Sequence, residues 1–254
     1  MIGLIRAEVI KVTGRKLWVV MTAILAVLMA GTALVFTVLP NVSPDEFQAM
    51  EAIEKPGAYL FGAGQALTQT WFPLVFAAVL LAGETSSSVW ASSLTRESRR
   101  WMHLVAKLIV TSVAATMAMA VGIAAWALVT ALFAEGEGAP ALAEWLSVAW
   151  KTGLTQITWV GLAFGMVALF RSMGPAIGVA LGFSFLDSIL SLWEPWREVS
   201  LSIASTRLVQ DMSESMSPFM PAVGMGFGQA MLVVFGWTGF GLLLALLGLE
   251  IRDP

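Results

Sequence analysis

Leu17-Trp-Val-Val-Met-Thr-Ala-Ile-Leu-Ala-Val-Leu-Met-Ala-Gly-Thr-Ala-Leu-Val-Phe-Thr-Val-Leu39 is 23 residues without a charge. A helix rising about 1.5 Å per residue needs roughly 20 apolar residues to cross about 30 Å of hydrocarbon, so this stretch alone predicts a membrane span. Five more runs of similar character follow at 57–83, 108–133, 152–170, 173–193 and 221–249. The first run is too long for a secretory leader, and Val38-Leu39-Pro40-Asn41 offers no small-residue cleavage site, so it is expected to stay as an anchor. The expectation is an all-α polytopic membrane protein with six transmembrane helices, forming one transmembrane domain over residues 1–254.

Composition agrees with this reading and excludes others. The 254 residues are 58% hydrophobic and only 12% charged, with a mean hydropathy of +0.82, far above that of a soluble domain. A formal charge of −3 lacks the basic balance of a nucleic-acid binder. With no cysteine and a single histidine, His103, thiol chemistry, Cys-ligated metals and His clusters drop out together. No G-x-x-x-x-G-K-[ST] phosphate loop occurs, so the chain has no ATPase motif of its own and is not expected to be an enzyme. A rhomboid-like intramembrane protease needs a Gly-x-Ser-Gly nucleophile and an intramembrane His, and neither is found.

The charges sort by side. Ten Lys and Arg, including Arg6, Lys11, Arg15, Lys16, Arg96, Arg99, Arg100 and Lys107, fall on the face that carries the N-terminus, and four fall on the other. Acids sort the opposite way, eleven against five. By the positive-inside rule both termini are expected in the cytoplasm, which points to a bacterial-type inner, or plasma, membrane. The 194–220 connection is then external, and its Glu198–Val209 part is a candidate short helix with Val199, Leu201, Ile203, Leu208 and Val209 on its apolar side. Asp45–Glu54 in the first outer loop is a second, acidic helical candidate.

Two cytoplasmic stretches carry more than topology. Over residues 1–16, Ile2, Ile5, Val9 and Val12 recur at helical spacing while Arg6, Lys11 and Arg15 lie on other faces, which predicts an amphipathic helix flat on the inner surface. The 84–107 loop contains Glu84-Thr-Ser-Ser-Ser-Val-Trp-Ala-Ser-Ser-Leu-Thr-Arg-Glu-Ser-Arg-Arg100, then Lys107. It resembles the first cytoplasmic loop of type-2 ABC exporter permeases. There an acid at the span end is followed by Gly-Thr, then Leu-Thr-Arg-Pro, a Ser/Arg end and a final Lys. Here Glu84 matches the acid, Leu94-Thr95-Arg96 the middle, Ser98-Arg99-Arg100 the basic end and Lys107 the lysine. Ser88-Val89 replaces the Gly-Thr and Glu97 the Pro. The Ala7-Glu8-Val9-Ile10-Lys11 pattern, the six spans and the long outer connection extend the resemblance over the whole chain.

The resemblance implies a permease subunit that pairs with a second permease copy and with separate ABC ATPase subunits, which would supply ATP and Mg; this chain would hold no cofactor. It implies that the loop is a coupling helix seated on the ATPase, with contacts from Glu84, Trp90, Thr95, Arg96, Glu97, Ser98, Arg99 and Arg100. Transport would run outward, and the apolar spans favour an amphipathic or hydrophobic cargo. A competing class is the six-span substrate-binding subunit of a multicomponent importer, for which the Arg-rich loop has no purpose.

Inside the spans, Asp187 is the only acid well within hydrocarbon, and a substrate or proton contact competes with a hydrogen bond to Ser184, Ser188 or a neighbouring helix. Gln65, Gln69, Gln156 and Gln229 are further candidates to line a substrate path, or to hold helices together. Gly174, Gly178 and Gly182, and separately Gly161 and Gly165, recur every fourth residue and predict helix faces that permit close backbone approach, within the subunit or across a dimer.

Overall fold

In a computed structural model, residues 2–42, 55–85, 100–134, 138–170, 172–210 and 224–250 are described. Among them there is no strand, and nearly every residue is helical. The elements are α1 (Ile2–Thr13), α2 (Lys16–Val42), α3 (Lys55–Thr68), α4 (Trp71–Thr85), α5 (Arg100–Phe133), α6 (Leu142–Phe170), α7 (Met173–Leu190), α8 (Glu194–Arg197), α9 (Leu201–Gln210) and α10 (Phe227–Glu250). Five stretches are long and apolar enough to cross a membrane: Lys16–Val38, Gly57–Leu81, Trp101–Phe133, Leu142–Phe170 and Phe227–Gly248. This is consistent with a membrane-embedded protein. The expected fifth of six spans, 173–193, forms a shorter apolar helix, Gly174–Leu190, whose 17 residues are at the low end of spanning length.

The second expected span is two helices, and Pro73 explains why. As the third residue of α4 it has no N–H for the Gln69 carbonyl four residues back, and its ring crowds that carbonyl. The chain tightens instead, with Gln69 N donating to Ala66 O at 3.3 Å and Phe72 N to Gln69 O at 3.4 Å. Thr70, at the break, meets Ser184 of α7 hydroxyl to hydroxyl at 2.7 Å.

The fourth span also differs at its start. Lys151 was its expected boundary, yet α6 begins nine residues earlier at Leu142 and runs through the lysine. Glu144, three residues into the helix, accepts from the Ala141 N–H at 2.6 Å, half of a capping box that fixes this start. Lys151 is 1% exposed, its Nζ 5.6 Å from the Trp150 ring and 5.8 Å from that of Phe227.

The core follows α4 and α6. Phe72 and Phe76 stack one helical turn apart at 5.7 Å, and Trp159 and Phe164 are sealed beside them. Trp126 of α5 lies where a Cβ on Gly62 would stand, only 2.1 Å from its nearest ring atom, and donates to the Ala58 carbonyl at 2.9 Å. A glycine at 62 is therefore what admits the indole. The Gly161–Gly165 face packs on α10 within the subunit: a Cβ on Gly241 would lie 2.6 Å from the Gly161 carbonyl carbon. The Gly174, Gly178 and Gly182 face meets nothing within 4 Å among the described residues.

Candidate functional site

The bundle has two polar ends. At one, α1 ends at Thr13, where the Thr13 hydroxyl turns back onto the Val9 carbonyl at 2.9 Å and Gly14 N closes on Ile10 O at 3.0 Å. The expected apolar face of this helix is only partly turned to protein. Ile5 and Val12 pack on the core, whereas Ile2 is 85% and Val9 42% exposed. The third inward position is Glu8, which is buried. Its Oε1 accepts from Lys11 Nζ at 2.8 Å and its Oε2 from Lys107 Nζ at 2.6 Å. Burial pushes the Glu8 carboxyl up, but the Lys107 and Lys11 ammoniums outweigh it and hold it below the usual carboxylate range.

Two residues beyond α1, Arg15 Nη1 donates to the Leu80 carbonyl of α4 at 3.1 Å. The N-terminal segment therefore grips both stems of the 84–107 connection, Leu80 on the incoming helix and Lys107 on the outgoing one. Of the expected coupling residues, Trp90, Thr95, Arg96, Glu97, Ser98 and Arg99 lie outside the described residues. Glu84 is the penultimate residue of α4 and Arg100 begins α5 as backbone positions, and their side chains are outside the description as well. Asp45–Glu54 likewise falls outside it.

At the opposite end, Asp187 is fully buried near the C-terminus of α7. Trp196 Nε1 donates to its Oδ1 at 2.9 Å; Ser200 Oγ and the Ser202 backbone N–H donate to its Oδ2 at 3.1 and 2.7 Å. Ser200 is the N-cap of α9, accepting from Ile203 N at 3.3 Å, so the carboxylate supplements the cap at the positive end of that helix. Its partners are thus in the α8–α9 hairpin rather than Ser184 or Ser188: Ser184 bonds Thr70, and the Ser188 hydroxyl donates to the Ser184 carbonyl at 3.0 Å. The expected helix after Glu198 starts at Leu201, and its inward face is Leu201, Ala204 and Leu208. Val199 stays 47% exposed, with its carbonyl accepting from Trp237 Nε1 at 2.8 Å.

The structure does not gather the remaining path candidates. Gln69 Oε1 accepts from Trp71 Nε1 at 2.8 Å at the α3–α4 break. Gln229 is exposed on α10 and donates to the Glu198 carbonyl at 3.2 Å. Gln65 is half-buried on α3. Gln156 is 1% exposed on α6, with its Oε1 unpartnered.

Sequence reasoning missed the Glu8–Lys107 pair, although both residues stood in the quoted patterns. The available signal was Glu8 itself, an acid placed at helical spacing between Ile5 and Val12 where a purely interfacial helix would carry an apolar residue. Neither a scan against protein-family models nor a search of curated proteins finds a match for the chain.

Proposed function

We propose that the chain is the permease subunit of a type-2 ABC exporter. Two copies, with separate ATPase subunits, move an amphipathic or hydrophobic cargo outward across an inner membrane. In this reading both termini are cytoplasmic, α7 makes the fifth of six crossings, and the α8–α9 hairpin closes over its outer end. The 84–107 loop receives the push of the ATPase through Glu84, Trp90, Thr95, Arg96, Glu97, Ser98, Arg99 and Arg100. Ile2 and Val9, uncovered by protein, face the inner lipid surface beside the positive charge of Arg6.

The observation that carries the reading is the double grip on the loop stems. A short loop transmits displacement only if its stems are held against the rest of the bundle, and the Arg15–Leu80 and Glu8–Lys107 contacts hold one stem each. An ion pair sealed from water is stiffer than an exposed one, because neither side chain has solvent to exchange with.

The test is affinity purification of the chain from native membranes in mild detergent, with mass spectrometry of stoichiometric partners. A Walker-motif ATPase at one copy per permease supports the exporter. Recovery of the intact, folded chain with a membrane partner and no ATPase would overturn it in favour of the importer substrate-binding subunit.

A further inference from the structure

α1 shows two opposite faces. Ile5, Glu8 and Val12 turn inward, with the Glu8 carboxylate held between Lys11 and Lys107. Ile2, Arg6, Val9, Ile10 and Thr13 recur at helical spacing on the outward face, and all are exposed, Ile10 at 61%. At about 100° per residue, Arg6 lies between Ile2 and Val9 on one side and Ile10 on the other. Arg6 and the exposed Lys16 pair with no acid among the described residues, and Glu8, the one acid within residues 2–16, is already met twice.

The link to α2 fixes the level at which this face stands. Only Gly14 and Arg15 separate the two helices, and both bond back, Gly14 N to Ile10 O at 3.0 Å and Arg15 N to Val12 O at 3.2 Å, while Trp18 N donates to Arg15 O at 3.2 Å. α2 carries the apolar stretch Lys16–Val38, so α1 stands where that stretch leaves the hydrocarbon, at headgroup depth. A surface turned to water gains nothing from three bare aliphatic side chains, and one turned to hydrocarbon is penalised by Arg6 at their centre. The headgroup layer accepts both: the aliphatic groups sink, and the guanidinium reaches a phosphate.

We propose that the outward face of α1 binds anionic phospholipid, with the Arg6 guanidinium on a headgroup phosphate between Ile2, Val9 and Ile10, and that this contact keeps α1 closed on the two loop stems. Charge selects the occupant. A symmetric contact with a second copy would set Arg6 against Arg6, whereas an anionic leaflet attracts it, by about five-fold in affinity per basic residue near the surface. The inward side of the same helix carries the Glu8 bond to Lys107, and Arg15, just after it, the bond to Leu80. Leaflet charge and the grip on the stems therefore act through one short helix.

The test uses the full chain in nanodiscs of dioleoylphosphatidylcholine, with and without a third of it replaced by dioleoylphosphatidylglycerol. The proposal rests on the placement of α1 at the lipid surface and not on an ATPase partner, and two readouts keep these apart. Because the chain has no cysteine, Val9→Cys takes a single nitroxide. It is expected to relax with oxygen rather than with a water-soluble nickel chelate; preference for the chelate, or access for neither, would overturn placement and proposal together. Opening α1 carries Arg6 off the leaflet, so its amides are expected to exchange hydrogen about five-fold more slowly with phosphatidylglycerol than without. The difference should close at about 1 M salt, where the screening length is about 3 Å. Arg6→Lys should keep it and Arg6→Gln remove it. Equal exchange in the two lipids, or a difference that survives Arg6→Gln, would overturn the anionic-lipid contact while leaving the placement intact.

Discussion

Lys107 Nζ donates to Glu8 Oε2 at 2.6 Å across 99 residues of sequence, and Lys11 Nζ meets the other carboxylate oxygen at 2.8 Å. The contact ties the N-terminal helix to the base of α5, immediately after the basic loop. Because both partners are largely shielded, their attraction is little screened, and loss of either removes a charge-assisted hydrogen bond from a buried group.

Glu8→Gln should therefore destabilise the chain by about 3 kcal/mol, read as a lowered unfolding temperature in detergent. Lys107→Met alone should cost less, because Lys11 still meets the Glu8 carboxylate. The double variant should cost clearly less than the two single losses added together, since both single changes break the same ion pair. Strict additivity would show that the pair contributes nothing as a pair.

The same carboxyl sets a pH dependence. Its folded value lies below the unfolded one, so its contribution is complete above about pH 4.3, the ordinary glutamate value, and is lost as pH falls through the lower folded value. Hydrogen exchange of the α1 amides should stay slow from neutral pH down to that point and speed up below it once intrinsic rates are corrected. In Glu8→Gln the step should vanish.

Asp187 accepts three hydrogen bonds, from Trp196, Ser200 and the Ser202 amide, so replacing it by Asn turns an N–H toward donors that need an acceptor. Asp187→Asn should cost about 2 kcal/mol, and Ser200→Ala, which removes one bond and the α9 cap, about 1 kcal/mol. Thermal unfolding measures both. If the residue's work is to hold the α8–α9 hairpin, assembly and transport fall together; transport lost from a fully stable Asp187→Asn chain would place cargo at the carboxylate.

Two glycines on different faces should behave oppositely. Gly241→Ala drives a methyl to 2.6 Å from the Gly161 backbone and should cost 1–3 kcal/mol by overpacking. Gly178→Ala meets nothing within 4 Å and should leave the monomer as stable or slightly more so. Crosslinking yield between copies is the second readout: a drop for Gly178→Ala with an unaffected monomer would place this face at a subunit contact.

If the basic loop couples to an ATPase, Arg96→Ala/Arg99→Ala/Arg100→Ala should weaken ATPase binding at least ten-fold, the scale of one charge-assisted hydrogen bond. Membrane insertion should be intact, because Arg6, Lys11, Arg15 and Lys16 still mark the same side. Unchanged ATPase stimulation in the assembled complex would remove the coupling role.

The helical class and most of the long apolar elements were legible in the sequence, because hydropathy is a local sum that each run carries in itself. Pro73 announced its break, but the surrounding run was apolar on both sides and hid it. The start of α6 differs from the uncharged run at 152–170 because Lys151 is buried inside the helix, its Nζ near the Trp150 and Phe227 rings, rather than standing at the helix end.

What the sequence determined by itself is how much apolar chain must leave water, in what order, and on which side its positive charges accumulate. What only the tertiary structure decided is which distant residues meet: Glu8 with Lys107, Asp187 with Trp196 and Ser202, and Gly161 with Gly241. The physical reason is range. A span is fixed by the transfer free energy of neighbouring residues, a sum that a window of sequence contains. A hydrogen bond or a backbone contact is fixed to within an ångström by the packing of whole helices, and no window of sequence contains that.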